Sequence, residues 1–212
     1  MKEKELERLS EMWSIENALS QKGFGTVAGV DEAGRGPLAG DVYAACVILP
    51  HGILIEGLND SKKISEKKRE KLYDEICAQA LAYAVCTASC GEIDEYNIRN
   101  ATYIAMNRAI NALNIKPDYV LIDGDCIKNC EIPHECVVKG DAKSASIAAA
   151  SLLAKVSRDR YMMKMAEKYP QYGFEKHKGY GTAVHIAALK EFGACEIHRK
   201  TFIKKFVTEK QA

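Results

Sequence analysis

Residues 27–36 read VAGVDEAGRG, and the fold turns on how that stretch is interpreted. Small and β-branched apolar residues stop at two adjacent acids, Asp31 and Glu32, and pass into a turn where Gly34 and Gly36 flank Arg35. The apolar part has the composition of a buried strand. Acids are depleted in strands and costly to bury alone, so a pair ending one calls for a counter-charge, which a divalent cation supplies. Successive side chains of a regular strand face opposite ways. For both acids to serve one site, the strand has to end at them, or Glu32 has to contribute its backbone carbonyl. The two glycines leave backbone amides uncovered, open to close approach by a sugar or phosphate. The plainer alternative is a strand followed by a polar turn.

Working outward, the strand runs from Thr26 to Val30, and Val42 to Leu49 forms a second, antiparallel neighbour after a short connection. Residues 1–22 read as one amphipathic helix with Leu6, Leu9 and Trp13 on a single side. Ser65 caps a helix extending to about Val85, Cys86 to Cys90 forms a strand, and a polar link with Glu92, Asp94 and Glu95 leads to a helix from about Asn97 to Leu113. Tyr119 to Ile122 is a short strand ending in Asp123, and Glu135 to Lys139 is another. Gly140 and Asp141 open a helix of about 25 residues, rich in alanine on the side that would approach the sheet. Near the C-terminus Tyr180 stands between Gly179 and Gly181, preceded by Lys176, His177 and Lys178, and Thr182 opens a helix to about Phe192. Strands at the front, middle and rear with helices between them imply an α/β fold, a mixed sheet with helices on its faces.

The 212 residues suit one globular domain. No apolar run is long enough to cross a bilayer and the N-terminus is charged, so a cytoplasmic location is expected. The spacing of the eight cysteines supports neither a disulfide framework nor a zinc site and is consistent with free thiols. The net charge of +1 hides an asymmetry: from Lys155 to Lys205 twelve Lys or Arg stand against five Asp or Glu. That excess is a candidate phosphate-facing surface, or else an ordinary solvated one.

Three segments therefore bring carboxylates to the ends of apolar elements: Asp31 with Glu32, Asp123, and Asp141. If the first two strands are neighbours and the long helix lies beside them, four acids meet at one edge of the sheet. They cannot all stay ionised there without cations. Oxygen-only ligands select hard ions, magnesium or manganese, over zinc. Two such ions about 4 Å apart suit in-line hydrolysis of a phosphodiester. Taken alone, Asp141 is equally a helix-capping acid, and Tyr180 equally a packing residue.

The segments VAGVDEAGRGPLAG, LNDSKKISEKKRE, YVLIDGD, KGDAKSASIAAASLLAKVSRD, HKGYGT and HRKTF, in that order, resemble those of bacterial ribonuclease HII from about Gly25 to Phe202. The resemblance implies the ribonuclease H-like fold, a mixed sheet with helices on both faces and a helical C-terminal region. It implies cleavage on the 5′ side of a ribonucleotide in an RNA–DNA hybrid or embedded singly in duplex DNA, leaving 3′-hydroxyl and 5′-phosphate ends. Asp31, Glu32, Asp123 and Asp141 match the acids that bind Mn2+ or Mg2+. Gly34, Arg35 and Gly36 match the turn that reads the 2′-hydroxyl, and Tyr180 the tyrosine that stacks at the next sugar. Lys62, Lys63, Lys143 and Lys178 are candidate phosphate contacts, placing the duplex without reading its sequence. About 25 residues precede the first motif, fewer than the extra domain of ribonuclease HIII needs. Asp41 departs from the family pattern, where a proline is expected. A monomer is expected.

Overall fold

The computed structural model describes residues 2–207. β1 (Val27–Ala33) is the middle strand of a five-stranded sheet. It pairs antiparallel with β2 (Val42–Ile48) and parallel with β4 (Tyr119–Asp123). Outside these lie β3 (Ala82–Ala88) and β5 (His134–Val137), giving the order β3-β2-β1-β4-β5.

Side-chain alternation along β1 and β2 sorts the core into two layers. On one face Ala45 and Val47 pack with Ala148, Ala149 and Leu152 of α5 (Ala145–Lys168), covered further out by α3 (Glu66–Gln79). On the other, Ala28, Val30, Ala44 and Cys46 pack with Ile93, Ala105 and Met106 of α4 (Cys90–Asn111). α5 lies against β1 because its contact stripe is alanine and because residue 29 is glycine; a Cβ there would sit 2.1 Å from the Ser146 carbonyl carbon. A third cluster gathers Met162, Tyr172, Phe174 and Leu189, fixing α6 (Phe174–His177), α7 (Ala183–Phe192) and α8 (Lys200–Ile203) against the end of α5.

Several expected boundaries move. The N-terminal helix is two, α1 (Glu3–Glu11) and α2 (Ser14–Gln21). The break has a cause: the Met12 carbonyl accepts the amide of Ala145, the first residue of α5, at 2.9 Å, and the Trp13 indole donates to the Ile53 carbonyl at 2.8 Å. Residue 1 of that expected helix, and residues 208–212 at the other end of the chain, lie outside the described residues.

α3 stops at Gln79 because the following residues pair with β2, from Ala82 opposite Ile48 to Ala88 opposite Val42; β3 therefore occupies 82–88 and not 86–90. The polar link expected at Glu92 is helical. Ser89 and Glu92 form a capping box that starts α4 seven residues early, and the Asp41 carboxylate accepts the Cys90 amide at 3.0 Å. The expected start survives as a kink, where Asn97 (φ 65°) accepts the amides of Arg99 and Asn100 and caps the second half. β5 ends at Val137 because Lys139 is left-handed (φ 57°) and turns the chain toward Asp141.

No helix among the described residues is long and apolar enough to cross a membrane. None of the eight cysteines is paired in a disulfide among the described residues.

Candidate active site

The β1–β4 ladder ends at Val30 opposite Ile122, whereas the β1–β2 ladder continues to Ala33 opposite Tyr43. β1 thus outruns its neighbour at the edge where its acids fall. The strand does not end at them, contrary to the first sequence alternative. Asp31 shares the α5 face with Gly29, and Glu32 shares the α4 face with Ala28 and Val30. Because β4 has stopped, both reach one cavity of about 340 Å³, which Asp123 and Asp141 also line. Glu32 and Asp123 also border a smaller cleft against Thr102, Tyr103 and Met106 of α4.

Of the other expected site residues, Gly34, Arg35, Gly36, Lys62 and Tyr180 line the same cavity. Lys63, Lys143 and Lys178 are not among its lining residues. Lys63 borders a separate cleft with Glu5 and Lys68, and Lys143 is exposed just before α5. The Lys178 ammonium is held by the Glu175 carbonyl and lies 3.4 Å from the Met163 sulfur. Sequence reasoning missed Ser61, Ser151, Lys155 and Arg158, which with Ala33 complete the lining.

Burial, then the charges of Glu32 and Asp123, push the Asp31 carboxyl well above the ordinary carboxylate range; the Ser151 hydroxyl and the Glu32 amide at 2.7 Å oppose this. Burial raises Glu32 as well, against the Arg35 guanidinium 3.5 Å away. Asp141 is raised by burial and by Asp123. Asp123 accepts the Gly140 amide at 2.6 Å, tying the third acid to the turn that carries the fourth.

No group of three or more His, Cys, Asp or Glu side chains among the described residues is drawn in tightly enough to hold a metal ion. The donor chemistry nevertheless fits hard cations: four carboxylates border one cavity, and their mutual repulsion is what a divalent ion offsets.

The turn after Glu32 rests on two buried arginines. Arg158 donates to the carbonyls of Ala39, Asp41 and Lys178, linking this turn to the loop that carries Tyr180. Its side chain runs directly beneath Gly34, where a Cβ would meet its Nε at 2.1 Å. Arg199 donates to the carbonyls of Gly34, Arg35, Pro37 and Gly40.

The Tyr180 carbonyl ends a chain of neutral histidines. The Cys195 amide donates to His198 Nδ1 at 2.9 Å, so His198 Nε2 carries the proton toward His185 Nε2 at 3.0 Å. His185 Nδ1 then donates to the Tyr180 carbonyl at 2.9 Å. Burial lowers both histidines to about 4.

A sequence profile of ribonuclease HII matches residues 28–205, a span that includes every element bordering the cavity. The chain belongs to the ribonuclease HII family. It is 52% identical over 204 residues to ribonuclease HII of Caldicellulosiruptor bescii, covering 95% of this chain and 99% of that one. Identity to the ribonuclease HII of Bacillus cereus strain ZK is 54% over 200 residues, or 94% of this chain and 77% of that one. The crystal structure of the ribonuclease H2 from Pyrococcus horikoshii superimposes with a TM-score of 0.75 at 29% identity, over 85% of this chain and 96% of that one. The chain therefore has the ribonuclease H-like fold and is a hydrolytic endonuclease of the ribonuclease H type, acting on RNA–DNA substrates.

Proposed function

We propose that the cavity at the end of β1 is the catalytic centre, and that it cuts on the 5′ side of a ribonucleotide in an RNA–DNA hybrid or alone in duplex DNA. One observation carries this reading: four acids from three segments and the Gly34–Gly36 turn border the same 340 Å³. Ribonucleases of this type depend on a divalent metal, and Asp31, Glu32, Asp123 and Asp141 are the residues that would hold Mg2+ or Mn2+. When bound, such ions lower the pKa of a water and neutralise charge on the departing oxygen, leaving 3′-hydroxyl and 5′-phosphate ends.

The chain's own groups supply the selection. The 2′-hydroxyl alone distinguishes a lone ribonucleotide from its surroundings, so its readers have to adjoin the acids, as the turn does. Tyr180, 46% exposed on the cavity rim, offers a face for stacking at the following sugar. Lys62, whose backbone is held by the Asp60 side chain at 2.9 Å, places a cation for phosphate. The segment from about residue 170 onward belongs to the same catalytic unit and contacts the substrate. The enzyme acts as a cytoplasmic monomer.

The test is cleavage of an end-labelled DNA duplex containing one ribonucleotide, with magnesium, manganese or chelator, mapped to the nucleotide. A metal-dependent cut immediately 5′ of the ribonucleotide is expected. Degradation of a long hybrid with no cut at the single site would keep the metal centre and refute junction recognition.

A further inference from the structure

Arg199 is fully buried, and its guanidinium makes five hydrogen bonds to carbonyls of residues 34–40. Nη2 donates to Gly34 at 2.5 Å and Gly40 at 2.6 Å; Nη1 donates to Arg35 at 2.9 Å and Pro37 at 2.8 Å; Nε also donates to Gly40, at 2.9 Å. The main chain joins in, the Arg199 amide donating to the Leu38 carbonyl at 2.9 Å. Asp41, whose charge bears on it, is already engaged by the Cys90 amide. Such a guanidinium is costly to bury, and its five donors in a fixed fork are what a run of carbonyls requires.

All peptide bonds described are trans, and in a trans peptide the C=O of one residue and the N–H of the next point in opposite directions. Turning the Gly34 and Arg35 carbonyls inward onto Arg199 therefore turns the Arg35 and Gly36 amides outward. The next such pair verifies the rule: Pro37 gives its carbonyl to Arg199, and the Leu38 amide points away, to the Gly179 carbonyl at 2.8 Å. No backbone carbonyl among the described residues accepts from the Arg35 or Gly36 amide, and both residues line the cavity beside Glu32.

We propose that Arg199 is the positioning residue for ribonucleotide recognition: by gathering the carbonyls of residues 34–40, it aims the Arg35 and Gly36 amides at the 2′-hydroxyl. This rests on the reading of the Gly34–Gly36 turn given above. Lysine at this position keeps the charge but converges its donors on one nitrogen, which cannot reach carbonyls spread along the loop.

The experiment compares binding of two DNA duplexes, identical except that one carries a single ribonucleotide, in magnesium and with cleavage blocked by Asp31→Asn throughout. Adding Arg199→Lys is expected to reduce the preference for the ribonucleotide duplex about tenfold or more, the scale of one or two lost hydrogen bonds, while affinity for the all-DNA duplex stays within about twofold. Retained preference in a folded variant overturns the proposal, as does equal loss on both duplexes, which marks a merely structural residue. If Arg199→Lys does not fold, amide exchange in the protein with native Arg199 decides. The Arg35 and Gly36 amides should exchange freely without substrate and be slowed only by the ribonucleotide duplex; slow exchange in the free protein, or equal slowing by both duplexes, overturns it. Should the protein with Arg199 intact bind both duplexes equally, the reading of the turn itself fails.

Discussion

Gly29→Ala tests how far the site depends on the contact between β1 and α5. The added Cβ would lie 2.1, 2.3 and 2.4 Å from the Ser146 carbonyl carbon, the Ile147 nitrogen and the Ser146 oxygen, all backbone atoms that no rotamer change can clear. Ordinary contact begins at 3.4 Å, so strand and helix have to separate by about 1.3 Å. Overpacking of this kind costs about 1–3 kcal/mol, and at about 2–4 °C per kcal/mol for a chain of this length the melting temperature should fall by roughly 2–12 °C. Catalysis should suffer more than stability. Asp31 is two residues along the same strand, and Ser151, which lines the cavity with it, is on the displaced helix. A misplacement of about 1 Å can cost about 100-fold in rate. Thermal melts paired with cleavage of a single-ribonucleotide duplex by the folded fraction would measure both. Gly25→Ala is the control, because its Cβ would meet only Asp118 Oδ2, at an ordinary 3.7 Å. A Gly29→Ala protein that melts with the parent and cuts at the parental rate would refute the close-packing account of the site.

Asp31→Asn should abolish cleavage yet melt above the parent in chelator. The folded protein raises the Asp31 pKa, so below the unfolded value the acid is protonated in both states, and stability falls as pH rises through the folded value. The stabilisation by Asn should therefore be larger at pH 8 than at pH 4; a difference independent of pH, or a less stable variant, would count against the electrostatic cause. Tyr180→Ala should slow cleavage at a lone ribonucleotide by about 5- to 150-fold, the scale of one lost stacking contact, and affect a long hybrid less. Matched losses on the two substrates would remove its junction-reading role.

Three of the acids were legible because each breaks a local rule: Asp31 and Glu32 follow directly on the apolar run of β1 and Asp123 closes β4, where carboxylates are out of place. That they meet follows from the parallel pairing of β1 with β4, which the element order allows and no single segment encodes. What supports the site was not legible. Arg158 and Arg199 were read within a basic, phosphate-facing stretch, yet both point inward to carbonyls of the 34–41 turn and the Lys178 loop. Nor do the other cations of that stretch form a free surface throughout, since Arg160 pairs with Glu70 and Lys168 with Glu196. Their partners are distant in sequence, and backbone carbonyls leave no mark in residue identity. Glu16 is a similar case: nothing in its sequence surroundings singles it out, but it is buried and accepts the Ser144 hydroxyl and the Ser146 amide at the start of α5. Asp41, where the resemblance leads one to expect a proline, accepts the Cys90 amide at the start of α4.

The turn of residues 34–40 is closed by a side chain about 160 positions further along the chain. Contacts so remote incur the loop-closure cost before they return anything, so they form late. The acids span shorter loops: the β1–β2 hairpin is local, Asp123 and Asp141 lie within one short stretch of chain, and the β1–β4 pairing that joins the two pairs closes about 90 residues. The four acids are thus expected to come together, through the β1–β4 pairing across about 90 residues, before the 34–40 turn is closed. The geometry of that turn therefore depends on how firmly the C-terminal helices are docked, whereas the acids are carried by the sheet and α5.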